Sequence, residues 1–123
     1  MRNFNNNFFK KVYLRLFKIK KSKKIKFLKP CNILIDKSSN IEITKRLSVN
    51  MQWNNLRDYK NKTVGSFFLE KNSKLCVDDF TFFAGCRITV NNNAKLILKK
   101  GFMNYNGIIE CFENIYIGEN VLI

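Results

Sequence analysis

The sequence predicts an all-β fold, a parallel β-helix wound from short strands, preceded by a short basic amphipathic α-helix. Three observations predict it. Apolar residues recur six apart at Ile35, Ile41 and Leu47, and again at Leu69 and Leu75. Six is not a helix period and is longer than one strand alternation, but it fits a solenoid whose every face takes one inward side chain per hexapeptide. An apolar, polar turn, apolar layout then returns at residues 77–82, 98–103 and 117–122, slightly more than the roughly 18 residues of three hexapeptides apart. Finally, 123 residues with 46% hydrophobic and 26% charged side chains suit one globular unit, and exclude a disordered chain. No apolar run is long enough for a membrane span. An antiparallel sandwich with irregular turns remains the alternative that periodicity leaves open.

The first element is the arm, residues 1–29. It carries eleven Lys and Arg and no acid, whereas residues 30–123 carry 12 bases against 9 acids, so the net charge of +14 belongs mainly to the arm. Phe8, Phe9, Val12, Tyr13, Leu16, Phe17 and Ile19 fall on one side of a helical wheel, with Lys10, Lys11, Arg15, Lys18 and Lys21 on the other. Leu14 and Lys20 break the pattern. Such a helix suits an anionic membrane surface, with Phe9, Tyr13, Phe17, Lys18 and Lys21 facing the lipid. It equally suits a cap over the core of the domain behind it. Nucleic acid ranks below both, because no binding motif follows the arm.

Behind the single Pro, Pro30, the texture changes to β-prone pieces: Ile33-Leu34-Ile35, Ile41-Glu42-Ile43 and Leu47-Ser48-Val49. Residues 52–62 interrupt the pattern and read as a loop or insertion. It resumes at Phe68-Leu69 and continues through Val77, Ile88, Val90, Leu96-Ile97-Leu98, Ile108-Ile109, Ile115, Ile117, Val121 and Ile123. Gly101 and Gly118 are expected at turns that need a positive φ, and Asn at other turns for its tolerance of the left-handed region. The high overall Asn and Lys content reads as composition bias without chemical meaning.

The sequence contains no His, which excludes His-based nucleophile activation, metal ligation and general-base catalysis within these residues. Cys31, Cys76, Cys86 and Cys111 show no C-x-x-C spacing; they read as small apolar side chains, buried or half-buried, and no metal is expected. The N-terminus lacks the uninterrupted apolar stretch of a signal peptide, so a cytoplasmic protein with reduced thiols is expected, possible contact with the inner membrane face included.

The stretch Phe102-Met103-Asn104-Tyr105-Asn106-Gly107-Ile108-Ile109, leading into Ile115-Tyr116-Ile117-Gly118-Glu119-Asn120-Val121-Leu122-Ile123, resembles the hexapeptide-repeat acyltransferases. It looks like the maltose and galactoside O-acetyltransferases and the sugar acetyltransferases of surface-polysaccharide synthesis. The resemblance runs from about Pro30 onward and is strongest from Leu96. It implies a left-handed parallel β-helix, a homotrimer with active sites between subunits, acetyl-CoA as acyl donor and a sugar or glycan precursor as acceptor. Asn104 matches the Asn of the family's F-x-N-x-N stretch, which lines the acceptor pocket; the plainer reading is an Asn at a corner of the coil. An acidic acceptor contact of the family falls at Phe112, with Glu110 and Glu113 offset. The family's catalytic His lies in a coil beyond the I-G-[DE]-N-V segment, so residues 30–123 are expected to be a β-helix domain truncated at its C-terminal end, inactive alone and without a catalytic residue. The alternative function is a non-enzymatic β-solenoid binding module with a basic membrane- or nucleic-acid-binding arm.

Overall fold

Short apolar alternations bounded by Asn, Asp, Ser and Gly dictate short strands. The computed structural model describes residues 24–28, 30–52 and 64–123, and among these it holds strands and no helix. The strands are β1 (Ile25–Phe27), β2 (Cys31–Ile35), β3 (Asn40–Met51), β4 (Gly65–Leu69), β5 (Lys74–Phe83), β6 (Arg87–Val90), β7 (Lys95–Met103), β8 (Ile108–Cys111), β9 (Asn114–Ile117) and β10 (Val121–Leu122). One sheet runs β1-β3-β5-β7, with β9 and β10 both against β7; the other runs β2-β4-β6-β8. Every pairing is parallel, so the antiparallel sandwich is excluded. The arrangement is consistent with a parallel β-helix. The predicted arm helix, with Phe9, Tyr13, Phe17, Lys18 and Lys21, lies outside the described residues, as do positions 53–62 of the expected insertion.

Register gives the length of each winding. Ser66 pairs with Arg87 and Arg87 with Ile108, each 21 positions on, and Leu96 pairs with Ile115, 19 on. Cys31 pairs with Gly65, 34 positions on, and this longer step contains the expected insertion. The six-residue spacing is seen in the core: Ile35 and Leu47 are buried and Ile41 packs against them from the rim. In β5 the inward residues are Leu75 and Val77, then Phe80 and Phe82. The phase changes at Asp78-Asp79, so the long strands are creased there and the two halves of the larger sheet form separate faces. In β3 the crease contains a register shift between Ile43 and Arg46.

Tight turns join the strands, closed by N–H to carbonyl bonds from Ser73 to Glu70, Ala94 to Asn91, Cys86 to Phe83 and Gly107 to Asn104 at 3.0–3.4 Å. The third residue of each takes a positive φ: Asn72 (57°), Asn93 (63°), Gly85 (79°) and Asn106 (61°). Asn50 (66°) and Asn120 (58°) do the same elsewhere. Asn thus takes these corners, as expected from its tolerance of the left-handed region. The glycine expectation changes. Gly118 is not among the residues with positive φ; Asn120 takes that conformation in its place. Gly101 lies inside β7, where a Cβ would run into the Val121 carbonyl of β10.

Ser39 and Ser73 occupy equivalent turn positions, taken in the next winding by Ala94. Ser39 Oγ donates to the Asp36 carbonyl at 2.6 Å, whereas Ser73 Oγ is buried without a partner. Ser73→Ala is expected to raise stability by about 1 kcal/mol, since it removes an unsatisfied buried hydroxyl. A urea midpoint below that of the parent would show that the hydroxyl is satisfied in solution.

Candidate functional site

The corner between β7 and β8 holds Asn104, the one described residue to which the sequence assigns an acceptor contact. Asn104 is exposed there. Its Oδ1 accepts the Tyr105 N–H at 2.8 Å, its backbone N–H donates to the Ile123 carbonyl at 2.7 Å, and its own carbonyl accepts the buried Cys86 thiol at 3.1 Å. These bonds match the plainer reading of Asn104, a residue at a corner of the coil. The residue shapes the corner, while its amide nitrogen remains a donor at the surface.

Aromatic rings surround it. Phe83 meets Phe102 edge-on, centroids 5.4 Å apart and planes at 87°, and meets Tyr105 at 5.6 Å and 41°. Phe83 is buried while Phe102 and Tyr105 are half-buried, so the pair presents ring surface beside Asn104. Gly107 completes the turn because a Cβ there would meet Met103 Sδ. Phe112, Glu110 and Glu113 are exposed and not part of this group. Phe112 and Glu113 occupy the turn at the opposite end of β8, so the structure does not bring an acid to Asn104.

The thiols have structural roles that the sequence did not reveal. Cys86 holds the Asn104 carbonyl, and Cys111 Sγ donates to the Lys95 carbonyl at 3.2 Å. Cys76 Sγ lies 3.6 Å from Glu42 Oε2. All four are free. Burial pushes each thiol pKa up; for Cys76 the Glu42 carboxylate adds to this, and for Cys86 and Cys111 backbone hydrogen bonds oppose it. Cys31 is pushed from 9.0 up to about 11. Because the thiolate is the nucleophile, alkylation of Cys31 by iodoacetamide at pH 8 is expected to run about a hundredfold slower than for an unburied thiol. A raised folded-state pKa stabilises the fold fully below pH 9 and is lost as the pH rises towards 11. A Cys31→Ala variant should lose less of its melting temperature over that window, and identical pH profiles would refute the assignment.

Among the described residues no group of three or more Cys, Asp or Glu could hold a metal ion, and no helix is long and apolar enough to cross a membrane. On the crease, Asp79 binds Arg46 at 3.2 Å and Lys45 at 3.7 Å, and Asp78 binds Lys99 at 3.7 Å. Such exposed pairs contribute little stability. No family model, no curated protein and no solved structure matches this chain.

Proposed function

We propose that this chain carries the β-helix scaffold and acceptor side of an acetyl-CoA-dependent O-acyltransferase acting on a sugar or glycan precursor. The observation that supports this most is the F-x-N-x-N corner. Asn104 stands exposed beside the half-buried rings of Phe102 and Tyr105, with its own oxygen occupied, so its amide nitrogen is suited to donate to a ligand hydroxyl. The parallel pairing and windings of 19–21 residues agree with that reading. A left-handed winding and a homotrimer belong to the same proposal, as does a cytoplasmic setting at the inner membrane face. Acetyl-CoA supplies the thioester carbonyl that the acceptor hydroxyl attacks, and none of the described residues is assigned to hold it. Without His, these 123 residues bind the acceptor but do not supply the family's general base, and no turnover is expected from them alone.

The test is an NMR titration of the 15N-labelled protein with maltose and methyl galactoside, alongside a separate titration with acetyl-CoA. Shifts at the Asn104 side-chain amide and the Tyr105 N–H, abolished in Asn104→Ala, are the expected result. No shift from either sugar, together with no acetyl-CoA binding, would overturn the proposal.

A second reading is a non-enzymatic binding module, favoured by the eleven cations of residues 1–29. It requires binding to anionic vesicles or DNA that falls steeply with ionic strength. If membrane docking uses the arm, changing Phe9, Tyr13 and Phe17 to Ser should weaken vesicle binding; undiminished binding would remove the arm from that role.

A further inference from the structure

The outer surface of the first face, formed by Asn40–Ile43 of β3, Lys74–Val77 of β5, Lys95–Leu98 of β7 and β9, carries two rows in register. One reads Asn40, Lys74, Lys95, Asn114 and the other Glu42, Cys76, Ile97, Tyr116. Lys74 and Lys95 are thus stacked on neighbouring strands about 4.8 Å apart, and like charges directly opposite on one sheet face repel. Elsewhere on the described surface, Lys45, Arg46 and Lys99 have aspartate partners. Lys74 and Lys95 have no ion-pair partner among the described residues. Beside them run Ile97, half-buried, and Tyr116, 64% exposed.

We propose that this face docks on an anionic lipid bilayer. Lipid phosphates would relieve the Lys74–Lys95 repulsion, and an exposed Tyr next to paired lysines has the composition that settles at headgroup level, ring towards the acyl chains and hydroxyl towards water. A pleated sheet is flat enough to present both rows to one plane. In the second row Glu42 carries the one charge, at the β3 end, while Ile97 and Tyr116 on β7 and β9 are uncharged; that end favours a membrane over nucleic acid, whose backbone offers these two side chains nothing to bury. The inference stands apart from the acyl-transfer reading, and from the arm, because it rests on strands alone.

The experiment is co-sedimentation of the full chain with vesicles of phosphatidylcholine containing 30% phosphatidylglycerol, compared with phosphatidylcholine alone. The variant is Lys74→Asn with Lys95→Asn, a substitution the column already carries at Asn40 and Asn114. Each lysine removed is expected to weaken partitioning about fivefold, so the double variant should fall about 25-fold on anionic vesicles with an unchanged melting curve. Tyr116→Ser should weaken it further. The same pair of lysine changes in a Phe9, Tyr13 and Phe17→Ser background separates this face from the arm, and should abolish what binding remains. Equal partitioning of parent and variant in both backgrounds would overturn the proposal. So would a lysine effect that appears on a DNA duplex but not on vesicles.

Discussion

Replacing Asn50 by Ala is expected to cost about 4 kcal/mol, lowering the melting temperature by about 15 °C for a domain of this size. Asn50 is 2% exposed and left-handed at φ 66°. Its Nδ2 donates to the carbonyls of Leu28 (2.8 Å) and Pro30 (2.9 Å), and its Oδ1 accepts the Gly85 N–H at 3.0 Å. One side chain therefore ties together three successive windings. Pro30 keeps a second partner in the Gly65 N–H, so Ala strands chiefly the Leu28 carbonyl and the Gly85 N–H, and adds the strain of a Cβ in the left-handed region. Asn50→Gly separates the two costs by relieving only the second, and should melt between Ala and the parent. A melting temperature for Asn50→Ala within 3 °C of the parent would sink the assignment.

The second large effect is expected at Phe80. Its side chain is fully buried, its ring centroid 4.9 Å from that of Phe82 and tilted 49° to it, and it lies in register between Leu47 and Gly101. Gly101 has no side chain with which to fill space, so the cavity left by Phe80→Ala stays open and the cost should approach about 4 kcal/mol. Phe80→Leu keeps most of the volume and should cost less than half as much. Phe102→Ala serves as the contrast, since that ring is half-exposed on the outward side of β7. Comparable losses at positions 80 and 102 in urea titrations would contradict the inward assignment of β5.

The inward rows were legible in the sequence because burial repeats with the step of the chain: Ile35, Ile41 and Leu47 already stood six apart before any register was known. The turns were legible only in part. Asn tolerates a positive φ better than most residues that carry a Cβ, but an Asn-rich sequence does not say which of its Asn turn the corner, and Gly101 reads as a turn residue although strand packing against β10 is what demands it. Asn50 could not be recognised, since its partners Leu28 and Gly85 are 22 positions before it and 35 after it. The surroundings of Asn104 were likewise out of reach. Phe102 and Tyr105 are close in sequence, but Phe83 and Cys86 join them only once β5 and β7 are in register. The family's acidic position falls at Phe112 in this sequence, and the fold supplies no substitute, because β8 separates Glu113 from the Asn104 corner.

The register has a consequence for the order in which the protein is made. Each new strand finds its partner about 21 residues upstream, on a layer that has already left the ribosome, so a winding can settle as soon as it is synthesised and no strand waits for one made much later. Parallel sheets usually require distant segments to meet and fold slowly for that reason; here sequence order and stacking order coincide, and the unfinished edge is always the youngest. The exceptions are the steps from β2 to β4, 34 residues, and from β3 to β5, 32–34 residues, which span the same insertion. During synthesis these are the longest intervals in which the growing edge stands open, and a translational pause or a bound chaperone would have its greatest effect there.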